Sequence, residues 1–222
     1  LRTFFLFYLL SSVFRSPLLA LLVIGVVFYL SEARYRGRYF NPGSFMNQRN
    51  TLRELASSLE LNDHDVAAHN DLGRLLADQG KYQQAAEHMA KAIRRMDESP
   101  ETNYYHGLCL LKTGHEQEGR EFIRTALRIN KRFLYGVPQV VLARNLLEHG
   151  DYHQAIDWAE AAVKLNTSSV EGFVVLGEAR ARVGDAAGAS EAYKGALEAY
   201  RHLPHYLRLA NRRWAKQAKK AL

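Results

Sequence analysis

Apolar residues are distributed along this 222-residue chain in two different ways. From Phe4 to Leu30 they are nearly continuous, broken only by Ser11, Ser12 and the tripeptide Arg15-Ser16-Pro17. From Thr51 onward they recur at helical spacing, first as Leu52, Leu55 and Leu59 and last as the stripe Leu203, Leu207, Ala210, Trp214 and Ala218. The first pattern predicts a segment in contact with a bilayer, the second a series of helices that each bury one face.

Within the periodic part, glycine returns at Gly80, Gly114, Gly150 and Gly184, at intervals of 34, 36 and 34 residues. Two more columns keep step with it. Ala85, Gly119, Ala155 and Ala189 follow five positions on, and Ala92, Ala126, Ala162 and Ala196 follow twelve positions on. A unit of about 34 residues cannot bury its apolar face alone, so successive units must stack, and a stack offers surfaces rather than a closed catalytic cavity. Small residues are expected where two antiparallel helices approach closely, and glycine where the turn between them takes a positive φ. These columns are therefore structural, and the sequence places function in binding.

The register resembles the tetratricopeptide repeat. Its marks are Leu72-Gly73, Leu76, Gly80, Tyr82, Ala85 and Ala92 in the first repeat, and Gly107, Leu110, Gly114, Gly119 and Ala126 in the second. The third has Leu142-Ala143, Leu146, Gly150, Tyr152, Ala155 and Ala162, and the fourth Leu176-Gly177, Gly184, Ala189, Tyr193 and Ala196. The chain departs from the family pattern where an early Trp is replaced by His69, Asn103, Gln139 and Phe173, where Arg180 replaces an aromatic or Leu, and in lacking the closing Pro after the first three repeats. The resemblance implies an all-α solenoid of four helix-turn-helix repeats over residues 66–203. A half-repeat helix over 51–65 precedes them, and a basic capping helix over 204–222 follows. The two residues added between repeats two and three fall near Lys131 to Pro138, where an altered superhelix or an extra contact loop is expected.

In this family the first helix of each repeat lines a concave groove. The resemblance thus implies a protein-binding groove of Asn70 and Arg74, Tyr104, Leu108 and Leu111, Val140, Arg144 and Leu147, and Val174 and Glu178, with Ala77 and Ala181 beside them. Such a groove, apolar at its centre and flanked by Arg74 and Arg144, suits a helix or peptide with hydrophobic anchors and one acidic group. The competing reading makes Leu108, Leu111 and Leu147 ordinary core between repeats. The Lys, Asn and Arg set with which some family members hold the C-terminal carboxylate of heat-shock chaperones is not matched: Asn70 and Arg74 are reminiscent of it, but Tyr105, Val137 and Val141 occupy the other places.

The N-terminal apolar stretch reads as a membrane anchor over residues 1–40. As one helix, Phe4 to Leu30 would extend about 40 Å, beyond the roughly 30 Å of a hydrocarbon core, with Arg15 stranded inside. A spanning helix over 17–33, opened by Pro17, avoids this, and leaves 3–14 as an interfacial helix or half of a re-entrant hairpin. Arg34, Arg36 and Arg38 interleave with Tyr35, Tyr39 and Phe40, the cations and amphipathic rings expected at a headgroup layer. The positive-inside rule then turns the repeats toward the cytoplasm, against the opposing charge of Arg2 and Arg15. A cleaved signal peptide competes with this reading, because Ser31-Glu32-Ala33 has the form of a cleavage site. Pro42, Gly43 and Ser44 mark residues 41–50 as a linker.

Charge sharpens the division. Residues 1–50 carry six Arg against Glu32, residues 51–200 carry 17 basic and 22 acidic side chains, and residues 201–222 carry seven basic and no acidic ones, so the formal +7 belongs to the ends. On the last helix Arg208, Arg212, Arg213, Lys216, Lys219 and Lys220 make a basic tail, read either as the solvated back of a cap over repeat four or as a contact for anionic lipid. Nucleic acid is disfavoured, since only Tyr206 and Trp214 could stack on bases.

Nothing points to catalysis. Cys109, the sole cysteine, excludes an internal disulfide and sits in the apolar run Leu108 to Leu111 as a buried thiol. His149 and His153 have i, i+4 spacing, but Gly150-Asp151 puts an interhelix turn between them, so no metal site or other cofactor is expected. No phosphate-cradling loop, nucleophile elbow or paired-carboxylate pattern is present. The expectation is a membrane-anchored, non-enzymatic scaffold that recruits or assembles partner proteins. Two other readings stay open: an intrinsic subunit of a membrane complex, and a lipid- or nucleic-acid-binding protein working through its basic tail.

Overall fold

The computed structural model describes Val23 and residues 42–222. Among the described residues the structure is all-α, with no strand. Helix α1 is Pro42–Leu61, followed by the pairs α2 (Val66–Asp78) and α3 (Tyr82–Ala92), α4 (Pro100–Lys112) and α5 (Glu116–Ile129), α6 (Val137–Glu148) and α7 (Tyr152–Leu165), and α8 (Val170–Arg182) and α9 (Ala186–His202). Helix α10, His205–Ala221, closes the chain. Among the described residues, Pro42–Leu203 with Asn211–Leu222 forms one compact unit, the solenoid.

Local chemistry explains the helix starts. The side chains of Asp65, Ser99, Asp151, Ser169 and Asp185 each accept a hydrogen bond from an amide in the first turn of the helix they precede. Pro100 stands in the first turn of α4, where a missing amide proton is no loss. Between the helices of each pair, Gly80, Gly114, Gly150 and Gly184 take φ of 76 to 89°, the left-handed conformation expected of them.

Packing explains the remaining columns. Ala85, Ala155, Ala92, Ala126, Ala162 and Ala196 are fully buried. In the second pair both crossing positions are glycine: a Cβ on Gly107 would meet the Gly119 carbonyl oxygen at 2.7 Å, and one on Gly119 would meet that of Gly107 at 2.8 Å. Each first helix also touches the first helix of the adjoining pair, so α2, α4, α6 and α8 share one face.

One expectation is corrected. The break expected over 41–50 is absent from Pro42 onward, because α1 begins at Pro42 and a proline followed by Gly43 and Ser44 is tolerated in a first turn. Between α5 and α6 the added residues form a short 3-10 turn, Phe133–Gly136, in which Leu134 and Tyr135 take positive φ of 49° and 44°. Phe133 anchors it edge-on against Tyr104, with centroids 5.7 Å apart, while Leu134, Tyr135 and Val137 stay exposed. The interfacial helix 3–14, the spanning helix 17–33 and the headgroup residues Arg34, Tyr35, Arg36, Arg38 and Tyr39 lie outside the described residues, Val23 excepted. Among the described residues no helix is long and apolar enough to cross a membrane.

Candidate protein-binding groove

The face shared by α2, α4, α6 and α8 carries all the residues expected to meet a partner, and burial divides them. Asn70, Ala77, Tyr104, Leu111, Val140 and Val174 are buried, and so unavailable to a ligand. A first helix must serve two neighbours, and these side chains point into the layer between helices rather than outward. Asn70 accepts a hydrogen bond from the Thr102 hydroxyl at 2.8 Å, tying the first repeat to the second. Burial raises the Tyr104 phenol's pKa well above its ordinary range.

Arg74, Leu108, Arg144, Leu147 and Glu178 remain half-buried on the groove face, and Ala181 is exposed. Both arginines expected to flank the groove already have acidic partners within the chain. Arg74 lies 3.5 Å from Glu101 and 3.9 Å from Asp71, and Arg144 pairs with Glu171. Leu108 and Leu111 instead border a depression of about 200 Å³, completed by Lys112, Glu116, Val141, Arg144, Asn145 and Glu148. Asn145, at its floor, donates to Glu116 and accepts from Arg120 at 2.9 Å, which fixes the amide. Leu108 and Val141 are its half-buried apolar members, and Lys112 and Glu148 are exposed at its rim.

The largest departure from expectation concerns α10. Its buried positions are Ala215 and Ala218, with Trp214 half-buried, whereas Leu207 and Ala210 are exposed, so the apolar stripe is only partly used. Ala218 and Trp214 join the core cluster built on Val170 and Val174 of α8. Trp214 also reaches α6: the Arg144 guanidinium lies over its ring, 4.6 Å from the centroid, and that of Arg213 is 4.3 Å from the same centroid. Gln217 donates a hydrogen bond to the Glu178 carboxylate. Burial raises the Glu178 pKa, a shift that the Gln217 hydrogen bond and Arg144 partly oppose. Burial, and then Arg213, lower that of Arg144. Arg212, Arg213, Lys216, Lys219 and Lys220 of the basic tail are exposed, as is Arg208. The sequence reading named Trp214 as part of an end cap and as a possible base-stacking ring, not as a partner of Arg144, and did not name Gln217 or Glu171. The pattern that could have found Gln217 is its place three residues beyond Trp214, on the same side of the helix.

The histidines serve structure. His69 is buried, with Nδ1 2.8 Å from Nδ1 of His88 and Nε2 3.0 Å from the Asp63 carbonyl oxygen. A carbonyl only accepts, so Nε2 of His69 carries the proton and, in the neutral ring, Nδ1 accepts from His88. His149 Nδ1 meets the Asn145 carbonyl at 2.7 Å, while His153 points to solvent from the next helix. Cys109 is fully buried, and burial pushes its thiol up to about 12. Among the described residues no cluster of three or more His, Cys, Asp or Glu side chains is arranged to hold a metal ion.

Comparison with known proteins agrees with this architecture. A crystal structure of MamA superposes with a TM-score of 0.62 at 21% identity, covering 67% of this chain and 85% of that one. A crystal structure of YrrB, described as a TPR protein with an unusual peptide-binding site, gives 0.61 at 18% identity over 80% of this chain and 90% of that one. The C-terminal part of a TPR repeat-containing protein from Cytophaga hutchinsonii gives 0.61 at 16% identity, over 79% and 66% respectively. At these identities the likeness is one of fold. No curated protein matches the sequence. The tetratricopeptide repeat model matches residues 70–131 and 140–204, more than half of the chain, and the protein belongs to the tetratricopeptide repeat family.

Proposed function

We propose that this protein is a non-catalytic scaffold, held at a bilayer by its apolar N-terminal segment, whose solenoid recruits or assembles partner proteins through the face of α2, α4, α6 and α8. The observation that carries the reading is the depression bordered by Leu108 and Val141 and rimmed by Lys112, Glu116 and Glu148. Apolar walls from Leu108 and Val141 over the Asn145 amide, with charges of both signs at the edge, fit the side chain of a partner peptide or helix, the mode by which grooves between helices take ligands. The peptide-binding site named for YrrB supports a ligand of this type. The membrane part rests on the nearly continuous apolar sequence from Phe4 to Leu30 and the arginine and tyrosine pairs after it.

The test is crosslinking and purification from the native membrane. Leu108→Glu should abolish partner recovery while helicity and melting stay near wild type, and unchanged recovery would reject the groove. Topology has its own test: with the repeats in the cytoplasm, a protease added outside intact cells leaves residues 34–222 whole, and external cleavage reverses the assignment. A second reading, in which α10 contacts anionic lipid, draws support from the exposure of Arg212, Lys216, Lys219 and Lys220 along one helix.

A further inference from the structure

A helix that merely continued a repeat stack would rest on the last pair. Helix α10 does more: through Trp214 it crosses α8 to reach Arg144 on α6, in the third repeat. Its contacts follow one side of the helix in the order aromatic, amide, small: Trp214 on Arg144, Gln217 on Glu178, and Ala218 in the Val170 and Val174 cluster. Arg144 and Glu178 are positions that the family pattern assigns to ligand. The side chains around them leave the site acidic, since Glu148, Glu171 and Glu178 outnumber Arg144 and Arg182, and the helix seated there is basic.

We propose that α10 is a resident intramolecular ligand of the C-terminal half of the groove, and that the partner engaging this half is a basic amphipathic helix that displaces it by repeating its aromatic, amide and small-residue pattern. The inference deepens the groove reading above and rests on it. Three features suit displacement. Only Ala215 and Ala218 of α10 are fully buried. The guanidinium groups of Arg144 and Arg213 both lie on one Trp214 ring, so that like charges are drawn together by docking. At the junction with α9, Leu203 is extended at φ −62° and ψ 140° and precedes Pro204, so α10 is not a continuation of α9. The depression at Leu108 and Val141 lies on α4 and α6, meets the occupied site at Arg144 and Glu148, and has no α10 residue in its lining. The groove is thus divided into an open half and an occupied one.

A labelled synthetic peptide of residues 203–222 serves as the probe, titrated against the full-length chain by fluorescence anisotropy. In the wild type the tethered helix competes at high effective concentration, so the peptide binds weakly. Trp214→Ala in the full chain releases the tethered helix and should raise the affinity for the wild-type peptide at least about tenfold, the size expected when a competing cis ligand is removed. Gln217→Ala, which removes one hydrogen bond and leaves the buried alanines in place, should raise it by a smaller factor. A peptide carrying Trp214→Ala should lose affinity for every form of the chain. The proposal is overturned if Trp214→Ala and Gln217→Ala chains, as helical as wild type, bind the peptide no more tightly than wild type does. Should Trp214→Ala abolish folding, the Gln217→Ala comparison decides alone. Leu108→Glu separates the two levels of inference. If it abolishes partner recovery while no variant gains affinity for the peptide, the resident-ligand proposal falls and the groove reading stands.

Discussion

Two kinds of glycine in this chain look alike in sequence and differ in consequence. At Gly80 the backbone takes φ 76° with nothing within 4 Å of an added Cβ, so Gly80→Ala bears only the conformational cost of a left-handed residue, about 1–2 kcal/mol. At Gly107 the added carbon would meet a carbonyl oxygen at 2.7 Å and an Ile123 methylene at 2.8 Å. The oxygen belongs to the backbone of the opposing helix, so Gly107→Ala must part α4 from α5 and should cost about 1–3 kcal/mol, in the range of overpacked cores. Urea denaturation of both variants should rank Gly107→Ala below Gly80→Ala, and the reverse order would mean that α5 can shift freely. The histidines supply a second residue-scale test. Burial, then His69, holds His88 below its ordinary 6.5, and burial does the same for His106. Between the folded and unfolded pKa values the unfolded chain binds more protons, so stability is full above 6.5 and is lost as pH falls from there through the folded values. Melting temperatures measured downward from pH 8 should fall in that window, and His88→Gln should flatten part of the fall.

At the scale of elements, the turn between α5 and α6 is where the chain carries local strain. Leu134 and Tyr135 both take left-handed conformations, which cost roughly 1–2 kcal/mol per non-glycine residue. Tyr135 is 70% exposed and gives little packing in return. Tyr135→Gly should therefore raise stability by about 1 kcal/mol, read as a higher urea midpoint, provided that Phe133 keeps its seat on Tyr104. A lower midpoint would show that the tyrosine holds the turn. The family pattern locates the two-residue insertion but not its conformation, because nothing in Phe133-Leu134-Tyr135-Gly136 favours φ above zero except the glycine. The interhelix turns were legible for the opposite reason: Gly80, Gly114, Gly150 and Gly184 each perform one backbone task at one position. The start of α1 was misread because Pro42 and Gly43 break a helix only from within it.

For the whole molecule, the repeat frame could be read from the sequence and the functional surface only in part, and the reason is geometric. Small residues recur because two helices in every unit cross at the same point, so the spacing is a property of the unit itself. Which first-helix side chains stay open depends on neighbouring units and on α10. Asn70, Tyr104 and Val174 turn inward to adjoining helices, and Arg144 lies under Trp214, a residue seventy positions away in the chain. The same dependence sets the last prediction, which concerns the two surfaces left exposed: the groove around Leu108 and the basic side of α10. Raising salt from about 0.1 M to about 1 M shortens the screening length from about 10 Å to about 3 Å, which weakens contacts made by solvated Arg212, Lys216, Lys219 and Lys220 but leaves apolar burial intact. Partner recovery through the groove should therefore survive the higher salt in the wild type and be lost in Leu108→Glu at either salt. Recovery that collapses with salt and ignores Leu108→Glu would move the binding function from the groove to the tail, and the repeats would then serve to present that tail.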